Sequence, residues 1–227
     1  MSEYLTRLQL FIMLWLKSIY GILLMVMIPV VALVIYNQAY YTVEDLMSMV
    51  YEEIAPVWFI LMLQWCFSID FDSKFYRQIL SYPMIRWKFL LEKLLFSAIM
   101  FLGLLSIVTF VLSIFTGVFA WQSLLFTMPI YITFASLIMA GTVIANHSVG
   151  GLVLGILFWM FYEFGGLFLN HLNVILIRYG SVYTFIKGET GFLAIENHWI
   201  LYNRLFYLGI GILFLAFAVW RFNRKTV

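Results

Sequence analysis

Few residues in this chain carry chemistry, and the most exposed to functional suspicion sit in apolar surroundings. Glu163 is the acid deepest inside a predicted membrane span, Glu92 lying only three residues into another, and an intramembrane acid is a functional candidate because hydrocarbon makes an idle charge costly. It lies six residues from the outer end of its segment, about 9 Å deep at 1.5 Å per residue. Arg204 lies five residues into the following segment from the same side, about 8 Å deep. Equal depth on consecutive antiparallel helices predicts an intramembrane charge pair, Glu163 with Arg204. The pair would lock two helices together; the alternative leaves Glu163 open to a translocation path.

Other chemistries lack their parts. No Gly-x-x-x-x-Gly-Lys-Ser/Thr loop is present, so no run of backbone amides cradles a nucleotide phosphate. Cys66 is the only cysteine, which rules out an intrachain disulfide and a Cys-based zinc site. His171, Glu196 and His198 fall on one side of the membrane but lack the i, i+4 spacing that puts two ligands on one helical face, so no metal site is expected. Glu52-Glu53 is a paired glutamate, yet no His lies at a comparable depth, and the Gly-x-Ser-Gly arrangement of intramembrane serine proteases is absent. Catalysis needs convergent groups at one depth, so no catalytic residues are assigned. No basic patch interleaved with aromatics offers itself to nucleic acid.

These residues are positioned by apolar segments. The 227 residues are 65% hydrophobic and only 11% charged, with mean hydropathy +1.01, whereas soluble domains carry about 25% charged residues. Crossing the hydrocarbon takes about 20 apolar residues. Six segments are predicted to do so: Ser18–Tyr36, Ile54–Ile69, Phe89–Phe115, Leu124–Ala145, Ser148–Leu169 and Trp199–Trp220. The first reads as a retained helix rather than a cleaved leader. The second is short, but Thr42 followed by Glu44 and Asp45 has the form of a capped helix start, so its helix is expected to begin outside the bilayer and enter near Ala55-Pro56.

Charge gives the orientation. Arg7, Lys17, Lys74, Arg77, Arg86, Lys88, Lys93, Arg221, Arg224 and Lys225 fall on the side of the N-terminus, and only Arg178, Lys187 and Arg204 on or near the other. Basic residues favour the cytoplasm, which predicts a multi-pass protein of the plasma membrane with both termini inside. Glu44, Asp45, Glu52 and Glu53 then gather outside. The aromatic residues agree, with Trp15, Trp87 and Trp220 at one interface and Tyr36, Trp121 and Trp199 at the other.

Three connections stand out. Before the first span, Tyr4, Leu5, Leu8, Phe11, Ile12 and Trp15 recur at helical spacing, which predicts a helix lying in the cytoplasmic interface. Between spans two and three, Asp72 or Ser73 can cap a short helix that runs to Tyr82, before Pro83 stops it. Phe75, Ile79 and Leu80 share one face of it and Lys74, Arg77, Gln78 and Ser81 the other. Before span six, Asn173–Arg178 and Ser181–Ile186 are too short to cross and read as two half-helices dipping into the outer leaflet. Gly150, Gly151, Gly155, Gly209 and Gly211 mark close helix packing, and Gly165-Gly166 would allow a break beyond Glu163.

Taken with the run from Ser68 through Asp70, Asp72, Arg77 and Pro83 to Arg86, followed by Glu92-Lys93, this architecture resembles the membrane subunit of type-2 ABC transporters, the ABC-2 permease family. The chain departs from the family at the start of the loop helix, where an acid–Gly–Thr element is replaced by Asp72-Ser73-Lys74. The resemblance implies one all-α transmembrane domain over residues 1–227, with six spans, an interfacial N-terminal helix, a cytoplasmic coupling helix and re-entrant helices before span six. It implies a permease half that pairs with a second permease subunit, identical or paralogous, and docks two copies of a cytoplasmic ATPase. ATP and Mg would be bound there, and this chain would hold no cofactor. Docking would fall to Asp72, Ser73, Lys74, Phe75, Tyr76, Arg77, Gln78, Ile79 and Leu80, the aromatic and aliphatic members filling a groove and Lys74 and Arg77 pairing with acids at its rim. The expected function is export of a hydrophobic or amphipathic compound such as a peptide, toxin or drug. A membrane immunity or sensor protein that binds a peptide without pumping would have a similar sequence, and an intramembrane enzyme is the remaining alternative.

Overall fold

Long apolar runs punctuated by caps and turns give a chain of helices. The computed structural model describes residues 3–19, 21–23, 26, 30, 42–76, 86–164, 175–191 and 193–224, and no strand occurs among them. Helix α1 is Glu3–Lys17, α2 Val43–Phe71, α3 Arg86–Thr116 and α4 Phe119–Ala145. Next come α5, Ser148–Phe164, α6, Gly180–Lys187, and α7, His198–Asn223, entered through a short 3-10 turn at Ile195–Asn197. Four of these, α2, α3, α4 and α7 with its 3-10 turn, are long and apolar enough to cross a membrane, and α5 is a shorter apolar helix. The segment expected to form the first span, Ser18–Tyr36, lies mostly outside the described residues, as do Arg77 to Ile85 and Gly165-Gly166.

Helix α2 starts where the acids of its first turn predict. Thr42 Oγ1 accepts from the Asp45 amide at 3.2 Å and the Asp45 carboxylate accepts from the Thr42 amide at 3.3 Å, a reciprocal capping box. The helix then widens into a π segment, Met49–Ile54, and returns to α geometry at Ala55. Pro56 accounts for the change: it has no N–H to offer the carbonyl of residue 52, and its ring crowds that carbonyl. A π turn, with Ala55 N–H reaching the Val50 carbonyl, relieves the conflict without ending the helix. The helix of span two thus begins at the Thr42 cap, as expected, ahead of the predicted start of the apolar span at Ile54.

Helix α4 is the most buried of the four long helices and is flanked by α2, α3, α5 and α7. The seam with α5 is glycine-lined: a Cβ on Gly151 would sit 2.6 Å from the Ile138 carbonyl oxygen, and one on Gly141 2.5 Å from that of Gly150. Gly155 and Gly211 are similarly close to Ile60 and Thr133, but a Cβ on Gly209 would meet nothing within 4 Å, so Gly209 is not part of a seam. Tight turns join α3 to α4, through Gly117 at φ +65, and α4 to α5, through Asn146 at φ 56. Before α6, Ile175–Tyr179 form no helix, so the described part of Asn173–Arg178 is not helical, whereas Ser181–Ile186 lies within α6. Leu176 and Ile177 are nonetheless fully buried.

Helix α1 turns Phe11 and Trp15 inward against α3, with Phe11 5.8 Å from Phe96 and Arg7 3.2 Å from Glu92. It stops at Lys17, where Ser18 Oγ donates to the Trp15 carbonyl and accepts from the Gly21 amide.

Candidate functional site

Two polar clusters sit at opposite ends of the bundle. The first is built on the π segment. Widening the helix carries Glu52 into the interior, where it is fully buried, and Arg204 of α7 reaches it with Nη2 2.5 Å from Oε1. The other carboxylate oxygen accepts from the Ile177 amide at 3.1 Å and from Ser48 Oγ at 3.3 Å. The guanidinium also lies 3.9 Å from the centre of the Phe126 ring. A buried ion pair is tolerated only when further hydrogen bonds satisfy its remaining lone pairs, and Glu52 meets that condition with donors from α2, α7 and the segment before α6.

The surrounding groups fix the π segment. Tyr131 of α4 donates to the Tyr51 carbonyl at 2.7 Å, and the Tyr51 hydroxyl donates to Thr109 of α3 at 2.8 Å. Trp159 of α5 donates through Nε1 to the Glu53 carbonyl at 3.0 Å. Arg178 pairs with Glu53 and lies 4.0 Å from Asp45. The segment before α6 is thus fastened to α2 by one buried and one exposed contact.

The expected Glu163–Arg204 pair does not form. Closeness in depth does not bring two side chains together, and Arg204 turns to Glu52. Nor do Glu44, Asp45, Glu52 and Glu53 form an external acidic group, because Glu52 is interior. Glu163 lines a separate cleft of ≈ 420 Å³ with Glu53, Trp58 and Trp159, and one of its carboxylate oxygens is buried without a donor among the described residues. The doublet Glu52-Glu53 and its spacing to Pro56 were the available signal: once the helix begins at Thr42, residue 52 is already well inside it.

The second cluster lies at the basic end. Asp72 is not a cap for the loop helix. Its carboxylate accepts from the Ser148 amide at 2.8 Å and from Ser148 Oγ at 2.6 Å, with His147 Nδ1 3.1 Å away, so it caps α5, three helices later. Ser73 Oγ accepts from the Phe75 amide, the capping role open to either residue. Lys74 adopts φ 61. Tyr76 is buried and stacked on Phe71, ring centres 4.9 Å apart, so it belongs to the core of this chain and does not fill a groove on another. Phe75 is 49% exposed. Arg77, Gln78, Ile79 and Leu80 lie outside the described residues. Beneath the loop, Lys93 pairs with buried Asp70 at 2.7 Å, and Arg86 reaches the Asn223 carbonyl at 3.3 Å, tying the start of α3 to the end of α7.

Among the described residues no group of three metal-ligating side chains occurs; His171 lies outside them. No family model, curated protein or solved structure matches this chain.

Proposed function

We propose that this chain is the membrane subunit of an ABC-2 type exporter, moving a hydrophobic or amphipathic compound out of the cell under the power of two separate cytoplasmic ATPase subunits. In this reading the chain crosses the plasma membrane six times, both termini are cytoplasmic, and a second permease subunit completes the path. The observation that carries it is Phe75. At the basic end of the bundle, where Asp72 is engaged by Ser148 and Tyr76 is buried, this aromatic stays half exposed beside Lys74. An apolar side chain with a cation next to it, at an end that faces water rather than lipid, is the form of a docking anchor. The segregation of charge supports the orientation, and a motor on a partner chain fits a sequence without a phosphate-binding loop.

The test is co-purification. Tagged chain drawn from its own cell membranes should bring an ATPase with it, and Phe75→Ala combined with Ile79→Ala should remain inserted while losing that partner. Transport by the chain alone, without ATP, would overturn the proposal.

A further inference from the structure

We propose that the cleft between α2 and α5 binds a hydrophobic organic cation, with Glu163 as its counter-ion and the indoles of Trp58 and Trp159 as its walls. The cleft is ≈ 420 Å³ and is lined by Glu53, Val57, Trp58, Trp159, Glu163 and Phe164. That volume is in the range of small-molecule sites, about 300–1,000 Å³. Its charges do not balance internally. Arg204 is committed to Glu52 and Arg178 is shared between Glu53 and Asp45, whereas Glu163 makes no ion pair among the described residues. A carboxylate at the edge of the hydrocarbon is expensive when unpaired, and the cleft it lines includes two indole side chains, Trp58 and Trp159, of the kind that attract cations.

The walls select the kind of cation. A hard metal ion of the Ca²⁺ type asks for six or more oxygen ligands; this cleft offers Glu163 and a Glu53 already engaged, with apolar surface for the rest. A cation that spreads its charge over alkyl or aryl groups uses both features at once. The site is also set before binding, because the Trp159 indole is held by its hydrogen bond to the Glu53 carbonyl, and a fixed wall loses little entropy when a ligand arrives. Naming this cation as exported cargo rests on the permease reading; binding itself does not.

The probe is tetraphenylphosphonium, permanently charged, with triphenylphosphine oxide as its uncharged relative. Binding is measured on the purified full chain in phosphatidylglycerol nanodiscs, without any ATPase. Saturable binding of the cation is expected, with no competition from the phosphine oxide. Glu163→Gln should weaken binding about tenfold, the effect of one partly desolvated ionic contact. Glu163→Asp, which keeps the charge, should retain most of it, and Trp159→Phe should lie between the two. Wild-type affinity in Glu163→Gln, or equal competition by the phosphine oxide, would overturn the site. Loss of binding when phosphatidylcholine replaces phosphatidylglycerol would assign the cleft to a lipid ammonium headgroup and overturn a free cation. Cation binding with no co-purifying ATPase would sink the permease reading and leave this site standing.

Discussion

Replacing Glu52 by Gln keeps the shape of the side chain and an acceptor for the Ile177 amide, but it leaves Arg204 without its counter-charge. Glu52 is fully buried and the Arg204 side chain is 7% exposed, so solvent screens neither. Breaking such a pair by removing one partner costs about 3–5 kcal/mol. Two effects place the loss toward the lower figure: the Phe126 ring still faces the guanidinium at 3.9 Å, worth about 2 kcal/mol when desolvated, and an isolated Arg at mid-membrane costs about 2.5–3.5 kcal/mol on insertion scales. A loss of about 3 kcal/mol lowers the melting temperature of a chain this size by about 6–12 °C. Cys66 supplies the assay. It is the only cysteine and is fully buried, so a maleimide dye that fluoresces on reaction reports unfolding in micelles. The double variant Glu52→Gln/Arg204→Gln should lose less than the sum of the single losses, the signature of direct coupling. Glu163→Gln, which removes no partner of Arg204, should melt close to wild type. A strongly destabilised Glu163→Gln with an unaffected Glu52→Gln would refute the pairing, and additive losses in the double variant would refute the coupling.

Two further outcomes are expected. Asp72→Ala removes the acceptor for the first turn of α5, a cap worth about 1 kcal/mol; amide exchange at Ser148–Gly151 should quicken, and Asp72→Asn should restore part of the protection, while unchanged exchange would reject the capping role. Gly151→Leu forces a side chain against the Ile138 carbonyl across the α4–α5 seam, and over-packing of that kind costs about 1–3 kcal/mol. Gly209→Leu, in open space, should melt like wild type in the Cys66 dye assay, and a matching loss at both positions would refute the seam.

Much of the fold is legible because hydropathy and caps are local. Thr42 with Glu44 and Asp45 announces the start of α2, Gly117 and Asn146 sit at the turns that need them, and Gly151 marks a close approach. The cluster around Glu52 is not legible by the same means. A hydropathy window rejects a segment containing Glu52-Glu53, which moves the predicted span boundary to Ile54 and leaves both acids in water. Depth arithmetic correctly puts Glu163 and Arg204 near the same end of the bundle, but whether two side chains meet depends on rotation about each helix axis. The π segment of α2, which carries Glu52, shifts the facing of that helix by the equivalent of one residue. Asp72 shows a related limit: a residue that reads as a cap for the helix following it in sequence caps one that is brought beside it only in space.

The way α2 and α5 are joined has a mechanical consequence. At one end Asp72 holds Ser148, and Gln64 donates to the same hydroxyl at 3.1 Å; at the other, Trp159 holds the Glu53 carbonyl. Between them Gly155 lies directly against Ile60. Sliding one of these antiparallel helices along the other would break contacts at both ends, so the pair is expected to move together, held over about 28 Å of α2 and about 16 Å of α5. A displacement applied to the loop after Phe71 would then be felt at the far end, where Glu53 and Glu163 stand. A push at one end of the bundle would thereby become a tilt at the other, and what that tilt would open or close is the space between this pair of helices and the segment that Glu52 holds down.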